Sequence, residues 1–214
     1  MQNIFFDTRI LDKKSREKFS LTEELMMENA VQGLEACVMP HVFHESERYI
    51  NRPCVLILAG RGNNGADGYA LARRLSCHDF CVAVCCIGEP SSEIAKVQKK
   101  RAEILGASFI SPYELDSFVE EKRFDMCVVV DCIYGSGFHL PLDAESEAVI
   151  QSANKIEAFK ISCDVPSGLD SAGNGETVFC ADETATMGAL KLSLFSDKAK
   201  DFCGKIKVCN LGIS

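Results

Sequence analysis

Apolar and polar positions along the chain follow two rhythms. Near the N-terminus the rhythm is helical. Met26, Ala30, Leu34 and Val38 recur at four-residue steps on one face, Ser20 and Glu23 have the spacing of a capping box, and Pro40 comes near the end. From residue 54 onward, continuous apolar runs alternate with amphipathic ones. Residues 54–59 (CVLILA) read as a central strand buried on both faces. A glycine-rich loop follows, then a helix carrying Tyr69, Ala72 and Leu75. Strands are predicted at 81–87, 108–110, 126–130 and 159–163. Helices are predicted at 92–105, closed by Gly106, and at 114–121 and 145–153. Residues 177–180 and 205–210 read as further strands.

Strand–helix alternation of this kind predicts an α/β fold with a mostly parallel sheet and helices on both faces. No repeat, low-complexity tract or linker divides the chain, so one domain over residues 1–214 is expected. In such sheets, ligands bind beyond the carboxyl ends of the strands. Three polar clusters fall there: GRGNNGADG (60–68), DCIYGSGFHLP (131–141) and DVPSGLD (164–170). In the first, Gly60, Gly62 and Gly65 match a dinucleotide fingerprint, whose glycines let backbone N–H groups approach a pyrophosphate. The alternative is a plain strand-to-helix turn capped by Asp67. Asp131 with Gly135 and Gly137 reads equally as an ion-binding loop or a capped turn. Asp164 follows an apolar strand, so desolvation is expected to raise its pKa toward the range of a general acid; alternatively it only initiates the turn before Pro166, Ser167 and Gly168.

Composition removes several function classes. Lys plus Arg total 23 against 31 for Asp plus Glu, a net charge of -8. That is the wrong sign for a protein that neutralises nucleic-acid phosphates. The run Lys99, Lys100, Arg101 reads as a solvated helix face. The longest apolar stretch, 80–87, is too short for a bilayer, and MQNIFFDTR lacks the features of a secretory signal. Several of the twelve cysteines lie in apolar strand runs, where Cys acts as a small hydrophobe. Cys77, His78 and Cys81 have no matching second pair for zinc. Reduced structural cysteines and a cytoplasmic setting are therefore expected.

The three clusters, in this order and spacing, resemble the signatures of the NAD(P)H-hydrate epimerases, the YjeF N-terminal-like domains. LMMENA (25–30), ADETATM (181–187) and Lys191 resemble further segments of that family. The resemblance implies a Rossmann-like three-layer α/β/α sandwich. It implies an isomerase that interconverts the R and S forms of hydrated NADH or NADPH, working beside a dehydratase and forming a homodimer. It implies a potassium ion at Asn64, Asp131 and Ser167. It also implies substrate contacts at Asn63, Asn64, Gly65, Ala66 and Asp67, at Gly135, Ser136, Gly137, Phe138, His139, Leu140 and Pro141, and at Asp164. Asp164 is then the expected acid for the leaving hydroxyl, with Asp164 or Asp67 assisting the return step.

Two positions depart from the family pattern. Ala66 stands at a usual Gly, so negative φ is expected there. Val31 stands at a usual small residue, which bears on helix packing or a dimer contact. No dehydratase segment follows residues 211–214, so a stand-alone epimerase or an excised domain is expected. Two rivals remain. An NAD-dependent dehydrogenase would use Glu89 to hold a ribose, with His139 as a candidate base. The other rival is a non-catalytic nucleotide-binding or scaffold module on the same fold.

Overall fold

Continuous apolar strands need cover on both faces, and the computed structural model provides it; it describes residues 4–5, 9–43 and 52–212. Seven parallel strands form the central sheet: β2 (Cys54–Ala59), β3 (Cys81–Cys86), β4 (Ser108–Ile110), β5 (Met126–Cys132), β6 (Phe159–Cys163), β7 (Glu183–Met187) and β9 (Lys205–Cys209). Their spatial order is β4-β3-β2-β5-β6-β7-β9. A short parallel pair, β1 (Ile4–Phe5) with β8 (Leu190–Lys191), stands apart.

Alternation along each strand sorts side chains to two cores. Val55, Ile57 and Ala59 of β2 pack with α2 (Glu23–Phe43), α3 (Asn63–Leu75) and α4 (Glu93–Ile104). Cys54, Leu56 and Leu58 face the other side, toward α5 (Leu115–Lys122) and α6 (Ala144–Asn154). This is a three-layer α/β/α sandwich with a Rossmann-like parallel sheet. Each fully buried Leu, Ile or Val contributes about 1.5–3 kcal/mol, so β2, buried along its whole length, fixes the centre. The chain leaves β2 toward β3 and β4, then returns on the other side of β2 through β5. The order therefore reverses between β2 and β5, where a ligand crevice forms in such sheets.

Several expectations need correction. Helix α2 starts at Glu23 and is capped by Thr22, whose Oγ1 accepts from Leu25 N–H at 3.2 Å; Ser20 has φ 54° and caps nothing. Pro40 lies within the last turn of α2, which runs on to Phe43. A preceding helix, α1 (Arg9–Phe19), went unread. Residues 177–180 are irregular, and the strand beside β6 is β7 instead. Much of the first glycine-rich cluster is helix, because α3 begins at Asn63. Ala66 is inside α3 with negative φ, as its side chain requires. Val31 is fully buried in the core beneath α2, so this substitution is one of helix packing. A short helix α7 (Lys200–Cys203) leads into β9.

Candidate active site

Parallel strands carry β2, β5 and β6 to one rim, and hydrogen bonds lace the loops that follow them. The first turn is tight. A Cβ on Gly65 would lie 1.8 Å from the Gly60 carbonyl oxygen, and one on Gly60 would lie 2.1 Å from that of Ile133. Asn64, in the first turn of α3, donates its side-chain N–H to the carbonyls of Tyr134 (2.9 Å) and Cys163 (3.2 Å). One amide thus joins all three loops.

Beneath it lies Asp131, 0% exposed. Its carboxylate accepts from the Ser167 hydroxyl (2.6 Å), Ser167 N–H (2.8 Å), Ile133 N–H (3.1 Å) and the Ser162 hydroxyl (3.4 Å). The Ser167 oxygen in turn accepts from Tyr134 N–H at 2.9 Å. Burial pushes the Asp131 carboxyl up to about 6, and these donors only partly offset it.

Asp164 sits at φ 75°, a left-handed conformation that L-residues rarely adopt. The turn aims both of its oxygens into donors. One accepts from Ser136 N–H (2.9 Å); the other accepts from Met187 N–H (3.2 Å) and pairs with Lys191 Nζ at 2.5 Å. Lys191, 2% exposed, also donates to Met187 O, Thr186 Oγ1 and Ala189 O. Burial alone would raise the Asp164 carboxyl. The adjacent ammonium and the two backbone donors outweigh it and hold the group below its usual range. This reverses the expectation from sequence, in which Asp164 was the protonated acid.

Asp67 is its opposite. It lies one turn into α3 and makes no hydrogen bond among the described residues. Burial raises its pKa well above the ordinary carboxylate value, and the negative charges of Asp164 and Glu23 add to the rise. Two carboxyls facing one cavity are thus driven apart, one toward the neutral acid and one toward the anion. That is how acid and base roles are divided in many active sites.

The cavity they share measures about 670 Å³. Of the expected contacts, Asn63, Asn64, Asp67, Gly135, Ser136, Gly137, Phe138, His139 and Asp164 line it. Gly65 and Ala66 are buried behind that wall, and Leu140 and Pro141 lie outside it on the surface. Asp131 and Ser167 form the floor rather than the wall. Arg16, Glu23, Arg61, Tyr134 and Asp143 line the cavity without having been singled out. Lys191 was noted without a role; a lysine inside the apolar run 189–195 was its one sequence signal. Glu89 lies outside the cavity, 88% exposed and paired with Lys99 at 3.5 Å, which removes the ribose ligand a dehydrogenase needs.

The oxygens of Asp131, Ser167 and the Tyr134 and Cys163 carbonyls form a linked group that meets the Asn64 amide at the two carbonyls. The amide nitrogen, a partial positive charge, rests on two carbonyls. Such a set fits a weakly hydrated monovalent cation better than zinc, which prefers nitrogen and sulfur.

The family model for the YjeF-related protein N-terminus matches residues 23–193, which include all three loops and Lys191. The chain belongs to this family. Among its YjeF-related relatives, the bifunctional NAD(P)H-hydrate repair enzyme Nnr of Helicobacter pylori is 37% identical over 214 residues; the alignment covers 100% of this chain and 43% of that protein. The NAD(P)H-hydrate epimerase of Rhodopirellula baltica is 32% identical over 211 residues, covering 96% of this chain and 82% of the relative. The Nnr enzyme of Archaeoglobus fulgidus is 35% identical, covering 97% and 40%. The chain therefore spans less than half of the two bifunctional relatives and most of the epimerase. The crystal structure of yeast ynu0 shares the YjeF-related fold at a TM-score of 0.77 and 20% identity, covering 87% of this chain and 79% of that one.

Proposed function

We propose that this chain is an isomerase that epimerises the R and S forms of hydrated NADH and NADPH. The observation that carries the reading is the pair Asp67 and Asp164, facing one cavity with opposite protonation tendencies. The names of its relatives, NAD(P)H-hydrate epimerase and NAD(P)H-hydrate repair enzyme, support the same substrate.

The chemistry needs a proton for the hydroxyl on the reduced nicotinamide ring. Protonated Asp67 gives it, water leaves, and the ring nitrogen lone pair forms an iminium. Asp164, kept anionic by Lys191 and two backbone N–H groups, stabilises that ring cation. Water then adds to the opposite face and returns its proton to Asp67. Atoms and charge balance over the cycle, and the product differs only in configuration. A positioned acid of this kind is worth about 10²–10⁴ in rate.

The proposal includes a potassium ion held by Asn64, Asp131 and Ser167, where its charge would tie the three loops together and offset substrate phosphates. It also includes a single cytoplasmic domain acting as a homodimer. The coupling to a dehydratase is supported by relatives named as bifunctional repair enzymes. No helix among the described residues is long and apolar enough to cross a membrane. The deciding experiment incubates the protein with separated R and S hydrates. Loss of chiral purity far above the spontaneous rate is expected; preserved purity with folded protein refutes the activity.

A further inference from the structure

Which side chains meet the phosphates of so charged a ligand? The cavity is lined by four acids, Glu23, Asp67, Asp143 and Asp164. Against them, two arginines line it, Arg16 and Arg61, and neither makes a salt bridge among the described residues.

Arg61 is the better placed of the two. Its backbone is fixed in the turn after β2, where its carbonyl accepts from Ser91 N–H (2.9 Å) and the Ser91 hydroxyl (2.8 Å). Its guanidinium packs against Gly88, beyond the end of β3. A Cβ there would meet Arg61 Nε at 2.1 Å, and Gly88 also has φ 72°, so only glycine leaves that side chain its seat. The nearby acid in the wall, Asp143, is already engaged. It accepts from Ser146 N–H, the Ser146 hydroxyl and the Tyr134 hydroxyl. The Arg61 head group makes no hydrogen bond or salt bridge among the described residues, although its charge reaches Asp143 and helps hold that carboxyl down; a planar cation so placed is suited to gripping a phosphate at two oxygens.

Its position along the sheet gives the ligand class. Asp164 follows β6 and Gly88 follows β3, with β5 and β2 between them. Three strand spacings put the two loops about 14 Å apart, the scale of an extended dinucleotide. With the nicotinamide at Asp67 and Asp164, the adenosine end reaches the tip of β3. In doubly wound sheets the ribose 2′ position lies there, and an arginine at that point accommodates a 2′-phosphate. Glu89, the acid that would repel such a group, is turned outward to Lys99.

We propose that Arg61 is a specificity residue that binds the 2′-phosphate of the adenosine ribose, so that this site takes phosphorylated dinucleotides in preference to unphosphorylated ones. The inference rests on the epimerase reading for the placement of the nicotinamide end, but its test does not use the reaction. Calorimetry compares adenosine 2′,5′-bisphosphate with adenosine 5′-monophosphate on wild-type protein and on Arg61→Gln and Arg61→Lys. Wild type is expected to bind the bisphosphate about tenfold more tightly. Arg61→Gln is expected to erase the preference, and Arg61→Lys to keep part of it. Arg61 is exposed, so both variants are expected to melt like wild type. Equal affinity of wild type for the two probes, no binding of the bisphosphate at millimolar concentration, or an unchanged preference in Arg61→Gln would each overturn the assignment. A protein that shows the preference but fails to exchange epimers would refute the epimerase reading and leave this one standing.

Discussion

Asp67 and Asp164 share a residue type and a cavity but differ in what lies within bonding distance. Asp164 has an ammonium and two N–H donors; Asp67 has none among the described residues. Asp67→Asn is therefore expected to lower epimer exchange by about 10²–10⁴, while keeping the cavity's shape. The same variant is expected to be more stable than wild type at pH 8. The folded pKa of Asp67 lies above its unfolded value near 3.9. Its contribution to stability is thus fullest below that value and is lost as pH rises toward and through the folded one. Melting curves at pH 4 and pH 8 check this: the gain from Asp67→Asn should appear only at the higher pH. Lys191→Met tests the other carboxyl. Removing one partner of a buried ion pair costs about 3–5 kcal/mol, measurable by denaturant unfolding. Asp164 has a depressed folded pKa, so the stability from this pair is present above its unfolded value and is lost as pH falls through the folded one. The variant's deficit should therefore shrink in acid. A strand-end aspartate after Ile-Ser-Cys reads as desolvated, and so it is. The reading failed on the lysine, which arrives from a later strand that local sequence does not connect to Asp164.

At the level of elements, the strands that could be read were those whose side chains are apolar on both faces, such as β2 and β5. β7 hid because Glu183, Thr184 and Thr186 are polar yet buried. Each finds a partner in another element: Glu183 pairs ionically with Lys207 at 2.8 Å, Thr184 donates to the Cys203 carbonyl at 2.6 Å and Thr186 accepts from Lys191 at 3.0 Å. Residues 177–180 misled for the converse reason. Val178 and Phe179 are buried, but their segment is a loop held by Ser167 and Asn154. The rim itself depends on Ser167. Ser167→Ala leaves Tyr134 N–H in the cavity wall without an acceptor and Asp131, fully buried beneath it, short of a donor. A buried polar group left unpaired costs about 1–3 kcal/mol, so a clear loss of stability is expected in chemical denaturation. An unchanged midpoint would show that the lacing between the loops carries no weight.

The whole molecule is acidic, and its cavity wall carries four acids against two arginines. A substrate carrying phosphates enters such a site only where positive charge is supplied. Replacing potassium by choline at constant ionic strength should therefore weaken nucleotide binding, as calorimetry would register. What unites the molecule is the reversal of strand order between β2 and β5. It brings three loops to one rim and puts two carboxyls on the same cavity, one pushed toward the neutral form and one held toward the anion. Carbon-13 NMR titration of the aspartate carboxyls reports that state directly, with Asp67→Asn and Asp164→Asn used to assign the two signals. The expected result is one carboxyl titrating well above the ordinary aspartate range, lost in Asp67→Asn, and one below it, lost in Asp164→Asn. Two carboxyls titrating together near the ordinary value would contradict the division of roles on which the proposed chemistry stands.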